Sequence, residues 1–304
     1  MQLTQNDSNR LKKIAAVSSI SLAVLLCLLK AAAVFYTGSL SVMSSMVDSL
    51  SDIIASLITF FAVKISIKPA SNNYRYGYGK AEALSALFQS LFVAIAGIFI
   101  LYDAILRFWH PVELSQTGFG LVVMVFSLVA TVILVYFQQY VAKKTNSQAI
   151  EADSLHYKID ILTNASIIIS LLFVRFFDIT QVDTIMALLI SIYLLWNAYD
   201  LGKDAVGLLL DRELDNKIRD DVLAIIATHK INPKAHDLRT RDLGAVYMFE
   251  FHLELDGNLD LYTAHKYTDE VEALIRKKYP EAQIIIHQDP KGINEDRLDN
   301  RLRK

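Results

Sequence analysis

Apolar residues gather in six long runs along the first two thirds of the chain, at about 14–36, 40–66, 81–108, 116–141, 150–175 and 182–205. Each is long enough to cross a bilayer as a helix, which takes about 20 residues. Proline punctuates the same plan. Pro69, Pro111, Pro233, Pro280 and Pro290, all five in the chain, fall outside the runs. That is expected of unbroken spanning helices, where a missing N–H would go unsatisfied. After about residue 210 the period changes. Leu214, Ile218, Val222 and Ile225–Ile226 recur every three to four positions, which predicts an amphipathic helix. "AHDLRTRDLG" and "AVYMFEFHLELDGN" read as two strands, "LDLYTAHKYTDEVEALIRKKYP" as a second amphipathic helix, and "AQIIIHQDP" as a last strand stopped by Pro290.

The pattern predicts a polytopic α-helical membrane protein. Six transmembrane helices occupy 1–209, and a C-terminal cytoplasmic α+β domain of α-β-β-α-β order, metallochaperone-like, occupies 210–290. The polar tail 291–304 is expected to be disordered. Composition agrees: 53% of residues are hydrophobic and mean hydropathy is +0.34. A net charge of −2 gives no field that would draw nucleic acid. The single cysteine, Cys27, excludes an intrachain disulfide and any Cys-rich zinc module. The N-terminus is polar for thirteen residues and no cleavable signal peptide is evident. Lys and Arg near the run ends collect on one side, at Arg10, Lys12, Lys13, Lys64, Lys68, Arg75, Lys80, Lys143, Lys144 and Lys203, against Arg107 and Arg175 on the other. The positive-inside bias places both termini in the cytoplasm, as an even number of spans requires.

Ionisable groups inside the spans carry the chemistry. Asp48 and Asp52 lie four apart in the second run, and His156 and Asp160 lie four apart in the fifth, so each pair shares a helix face. Carboxylates at that depth are costly and mark function. Two helices that each offer such a pair can close a tetrahedral site. Three carboxylates and one imidazole suit a borderline divalent ion such as Zn²⁺. Glu151 and Asp153 read instead as first-turn caps or interface residues. Lys30 and the Asp103/Arg107 pair lie toward outer ends, where snorkelling or an i, i+4 salt bridge accounts for them.

With these residues in view, the chain resembles the cation diffusion facilitator family, most closely its bacterial zinc transporters, over roughly residues 10–290. "DSLSD", "EADSLHYKID", "GYGKAE", "LLDREL", "HDLRTR", "FHLELDGN" and "IIIHQDP" carry the resemblance. It implies a homodimer that exports Zn²⁺ from the cytoplasm in exchange for protons, with Asp48, Asp52, His156 and Asp160 as transport site and proton acceptors. Cd²⁺, Fe²⁺ and Mn²⁺ stay open as substrates. It implies a bacterial inner-membrane location. It also implies that His236, His252, His265, His287 and Asp289 form a cytoplasmic two-zinc cluster near the dimer contact, with Asp289 bridging and Gln288 assisting. Whether that zinc is structural or regulatory stays open. His229 matches no ligand and reads as a helix C-terminal charge. Lys80 and Asp211 map to a charge interlock across the dimer, with Arg212 as a further member.

Three rival readings are weaker. A membrane zinc enzyme would need a base and an open coordination position, and no H-E-x-x-H is present. A nucleotide-driven pump would need G-x-x-x-x-G-K-[ST], which is absent too. A membrane-tethered zinc sensor without transport is separated from an exporter by a flux assay. One departure from the family stands out. The loop "SNNYRYGYGKAE" has Ser71, Asn73, Tyr74 and Tyr78 where relatives often place Asp and His as a further zinc site. Amide and phenol groups are poor zinc ligands at neutral pH, so this loop is expected to bind none and the chain to hold three metals.

Overall fold

The computed structural model describes the backbone of residues 5–37, 40–109, 118–177, 181–244, 246–293 and 297–302. The chain divides into two compact units, Met1–Val206 and Gly207–Lys304. The first holds α1 (Gln5–Thr37), α2 (Leu40–Ser66), α3 (Ala81–Trp109), α4 (Gly118–Thr145), α5 (Gln148–Phe177) and α6 (Gln181–Leu209). These six helices match the six apolar runs. Among the described residues, stretches long and apolar enough to span a bilayer are Asn6–Ala32, Ala81–Leu106 and Val125–Thr145.

Small side chains set the packing of α1, α2, α4 and α5. Ala15, Ala62, Ala142 and Ala149 are buried together with Val63, Val141 and Ile150. Where lipid is as apolar as leucine, small residues let backbones approach and gain dispersion contacts. Gly202 of α6 plays the same part against α3, since a Cβ there would lie 3.0 Å from Ser90 Oγ.

Helix α1 begins about nine residues earlier than the apolar run suggests, because its polar start has partners. Lys12 is buried and its Nζ lies 2.8 Å from Glu82 Oε1 in the first turn of α3. Ser66 at the end of α2 donates to the same oxygen at 2.8 Å, and Ser147, just before α5, donates to Oε2. Lys30 also differs from expectation: its Nζ donates to Ser49 Oγ of α2 at 2.7 Å rather than snorkelling outward. His110, Pro111 and the side chains of Arg107 and Arg175 lie outside the described residues.

The second unit contains α7 (Asn216–Ala227), β1 (Lys234–Asp242), β2 (Tyr247–Leu255), α8 (Leu261–Lys278), β3 (Gln283–Pro290) and α9 (Leu298–Leu302). Its sheet has the order β1-β2-β3, with β1 antiparallel and β3 parallel to β2. Strand β2 alternates. Phe249, Phe251, Leu253 and Leu255 enter a core with Val222 and Ile226 of α7 and Val271 and Ile275 of α8. The intervening Glu250, His252 and Glu254 face the opposite side, as a period of two requires. Within the tail, residues 297–302 have partners in β1 and β2. Leu298 and Asp299 donate backbone N–H groups to the Asp237 carboxylate, and Asp237 N–H donates to Asp299 Oδ2 at 3.0 Å. Asp237 sits at an irregularity of β1 with φ 50°, which leaves its backbone groups available to the tail.

Candidate metal centres

Within the helical unit, α2 and α5 pack together and bring Asp52, His156 and Asp160 to one place. One ligand atom from each lies within 4.8 Å of the others. His156 Nε2 is 3.1 Å from Asp52 Oδ1. Asp52 is buried, while His156 and Asp160 are half-buried. The i, i+4 step on α5 stacks His156 over Asp160 and leaves α2 to supply the facing carboxylate. Asp48 stands one turn before Asp52 on α2, and its side chain lies outside the described residues.

Asp153 departs from the first-turn cap that the apolar run suggests, because α5 begins at Gln148 and places it in the second turn. It is fully buried and accepts hydrogen bonds from Ser19 Oγ of α1 at 2.6 Å and Gln138 Nε2 of α4 at 2.5 Å. Glu151, in the first turn, is exposed. The spacing from Asp153 to His156 and Tyr157, three and four residues, is the signal of this role that the sequence carries.

In the C-terminal unit, strand register builds the second cluster. His236 of β1 pairs with His252 of β2, and His252 pairs with His287 of β3. The three rings stand side by side, with centroids 5.1 Å and 4.8 Å apart. Asp289 lies two residues after His287 and turns to the same face. Its Oδ2 is 2.7 Å from His252 Nδ1 and 3.5 Å from His236 Nε2, and its Oδ1 is 3.2 Å from His287 Nε2. One carboxylate thus addresses three imidazoles through both oxygens, the geometry asked of a bridging ligand. His236, His252 and Asp289 have ligand atoms within 4.8 Å of one another.

His265 is not drawn into this group by any described contact. It is exposed on α8, with Nε2 3.5 Å from Asp269. Gln288 donates to Thr268 Oγ1 at 2.9 Å, so its amide is engaged away from the histidines. Glu254 is a member that sequence reasoning misses, although it lies two residues after His252 and so shares its face. Its Oε1 is 3.3 Å from His236 Nδ1 and 2.7 Å from Arg297 Nη2 of the tail. Burial disfavours charge on Asp237, yet the Asp299 and Leu298 N–H groups, with His236 and His252 nearby, hold its carboxyl below the usual range. His229, read as a helix C-terminal charge, is a buried ring just after α7, its Nε2 2.9 Å from Glu270 Oε2.

Two descriptions of one family match the chain: the cation efflux transmembrane domain over residues 16–210, and the cation efflux protein cytoplasmic domain over residues 214–291. The chain belongs to the cation efflux family. Members of that family are membrane transporters of metal cations rather than enzymes, and the two matches leave little of this chain outside it. The cation-efflux pump FieF of Escherichia coli O127:H6 is 40% identical over 281 residues, covering 92% of this chain and 93% of that protein. FieF of Klebsiella pneumoniae subsp. pneumoniae is 40% identical over 284 residues, with 93% and 94% covered. Among solved structures, the metal-bound C-terminal domain of the CzcD transporter from Thermotoga maritima shares 25% identity. There 27% of this chain and 100% of that one are covered, with a TM-score of 0.25.

Asp211 follows α6 with φ 57°, and its Oδ2 is 3.2 Å from Arg241 Nη1 of β1. Lys80 stands at the entry to α3. In the loop, Ser71 and Tyr74 exchange two backbone hydrogen bonds of 3.1 Å. Ser71 Oγ lies 3.0 Å from the Tyr78 hydroxyl, and the Tyr74 and Tyr78 rings are 4.8 Å apart. Gly77, at φ 84°, makes the turn that an L side chain would resist.

Proposed function

We propose that the protein exports Zn²⁺ from the cytoplasm in exchange for protons, as a homodimer in the bacterial inner membrane with both termini cytoplasmic. The observation that carries this reading is the convergence of Asp52, His156 and Asp160 inside the helical unit. Asp48, one turn from Asp52, is the fourth ligand of a tetrahedral set. Such a set takes Zn²⁺, admits Cd²⁺, and suits octahedral Mg²⁺ poorly. Fe²⁺ and Mn²⁺ are weaker candidates on the same ground, since the set holds an imidazole and has few oxygens to offer a larger shell.

Exchange follows from the ligands. Carboxylates must be ionised and imidazole neutral to bind metal, so loading from the cytoplasm expels protons. Protons arriving from the outer side compete for the same oxygens and ring nitrogen and discharge the ion. Rocking of helices around a fixed site supplies alternating access. The cluster of basic residues at the helix ends supports the orientation. The match to the family's cytoplasmic domain supports the homodimer, in which Lys80 and Asp211 interlock across subunits.

The C-terminal donor set fits resident zinc. Three imidazoles converge on a carboxylate that presents both oxygens, and neither thiol nor cluster chemistry is needed. His236, His252, His287 and Asp289 would hold it, with His265 completing a second position. Bound there, Zn²⁺ cross-links three strands of a unit with a small core.

The test is Zn²⁺ flux in proteoliposomes, with and without an opposing proton gradient. Wild type should move Zn²⁺ faster when protons run the other way. Asp52→Ala and Asp160→Ala should each lower flux by roughly a hundredfold or more, since losing even an outer-shell partner of a metal costs about 10–100-fold. Undiminished flux in either variant would sink the transport site and leave a tethered sensor as the better account.

A further inference from the structure

Asp153 belongs to neither metal centre, and its surroundings are unusual. It is fully buried, as are Ser19 and Ser56. Ser19 Oγ lies 2.6 Å from Asp153 Oδ2 and 2.7 Å from Ser56 Oγ, which lies 2.8 Å from the Tyr157 hydroxyl. Because Ser19 donates to Asp153, Ser56 donates to Ser19 and Tyr157 donates to Ser56. The three hydroxyls form one directed chain across α1, α2 and α5. It ends beside the transport site, since Ser56 is one turn from Asp52 and Tyr157 is the neighbour of His156.

On the other side, two buried oxygens, Asp153 Oδ1 and Gln138 Oε1, have no hydrogen-bond donor at close range among the described residues, and the Thr59 hydroxyl is the weakest of the groups acting on the Asp153 carboxyl. They belong to side chains already joined by the Gln138 Nε2 to Asp153 Oδ2 bond of 2.5 Å. A buried acceptor without a donor carries a desolvation cost. A single proton on Asp153 lowers that cost by neutralising the buried carboxylate. The charged or titratable groups acting on Asp153 are His156 on its own helix and, through Tyr157, Asp52 on α2. Helices α1 and α4 present Ser19 and Gln138, and α2 also presents Ser56 and Thr59.

We infer that Asp153 is a proton-carrying residue of the transport cycle, one turn from His156, with the Ser19–Ser56–Tyr157 hydroxyl chain running from it to the neighbour of that ligand. It rests on the antiport reading above. When metal loading expels a proton, Tyr157 takes one up and Ser19 delivers its own to the Asp153 carboxylate at Oδ2, the oxygen it already faces. Each hydroxyl in the chain passes on one proton and receives one, so none changes charge. When the site empties, Asp153 returns the proton. The group thus holds part of the proton count away from the metal ligands themselves.

The experiment uses the full chain in proteoliposomes, measuring Zn²⁺ flux across external pH, together with Zn²⁺ binding to the detergent-solubilised protein. Asp153→Asn keeps the shape and mimics the protonated side chain permanently. It should cut proton-driven flux by roughly tenfold or more, the lower scale of proton-transfer assistance. It should flatten the pH profile while leaving Zn²⁺ binding at the transport site in place. Ser19→Ala, which keeps Asp153 and breaks the chain, should displace the profile in the same sense and stands in if Asp153→Asn is not recovered folded. A wild-type-shaped profile in the variants overturns the inference, whether flux is retained or falls by one factor at every pH. The latter would assign Asp153 to the scaffold. If wild-type vesicles themselves ignore a proton gradient, the antiport reading fails first and this inference with it.

Discussion

A residue's neighbours decide what its charge does. Asp221 of α7 accepts from Lys278 Nζ and from the Tyr279 hydroxyl at 2.7 Å, where α8 ends. The Lys278 bond, then the Tyr279 bond, outweigh burial and hold its carboxyl below the usual range. A depressed carboxyl stabilises the fold above the unfolded value of about 3.9, and that stability is lost as pH falls through the folded value. Asp221→Asn should cost about 0.5–1 kcal/mol at neutral pH, discounted because Lys278 is largely exposed. Unfolding followed from pH 7 to pH 2 should show the variant and wild type converging in acid. Convergence absent, the pair contributes nothing through charge. The same dependence on neighbours separates what the sequence discloses from what it conceals. Asp52, His156 and Asp160 are legible because carboxylates and imidazoles inside apolar runs are too costly to persist unless they bind something. Asp153 reads as a cap because the apolar run starts only about three residues before it, whereas the helix itself starts at Gln148. Its partners Ser19 and Gln138 lie 134 and 15 residues away, and no periodicity announces them.

At the scale of elements, apolar period places helices and strands well, since burial is what produces both patterns. It fails at polar ends that find distant partners. The start of α1 and the tail helix α9 are the two cases, held by Glu82 and by Asp237. The Lys12–Glu82 pair ties α1 to α3, with Ser66 and Ser147 adding the end of α2 and the entry to α5. Breaking a buried pair by removing one partner leaves an uncompensated charge and costs about 3–5 kcal/mol, while replacing both is far milder. Lys12→Met and Glu82→Gln should therefore each lower the melting temperature of the solubilised protein more than the double variant does. A double variant worse than either single would contradict the burial of the pair.

At the scale of the whole molecule, metal content is the quantity to measure. Each chain should bind three Zn²⁺, one among the transport residues and two in the C-terminal unit. None should bind at Ser71, Asn73, Tyr74 and Tyr78, where the Ser71 and Tyr78 hydroxyls bond to each other and amide and phenol oxygens are poor zinc ligands. Metal analysis after dialysis checks the number, and a fourth ion lost on Tyr78→Phe would refute it. Ligands that favour the folded state raise stability by mass action, about 2.7 kcal/mol at a hundredfold excess over Kd. Zn²⁺ should thus raise the melting temperature of wild type, and the rise should shrink in His252→Ala. The family and its two-part plan are legible from seven short motifs, because each encodes a local demand of chemistry or turn geometry. The tail's docking and the part played by Glu254 are not, since both depend on which strand edges meet.

The pairing of His236, His252 and His287 across three strands has a last consequence. A strand displaced by one residue turns every side chain to the other face. A misaligned β3 would point His287 and Asp289 into the core and expose Ile284 and Ile286, and the proposed ligand set would vanish as a whole. Metal retention in the C-terminal unit is therefore a proofreading signal: the fraction of molecules that resists a chelator counts those whose strands have closed in the right alignment.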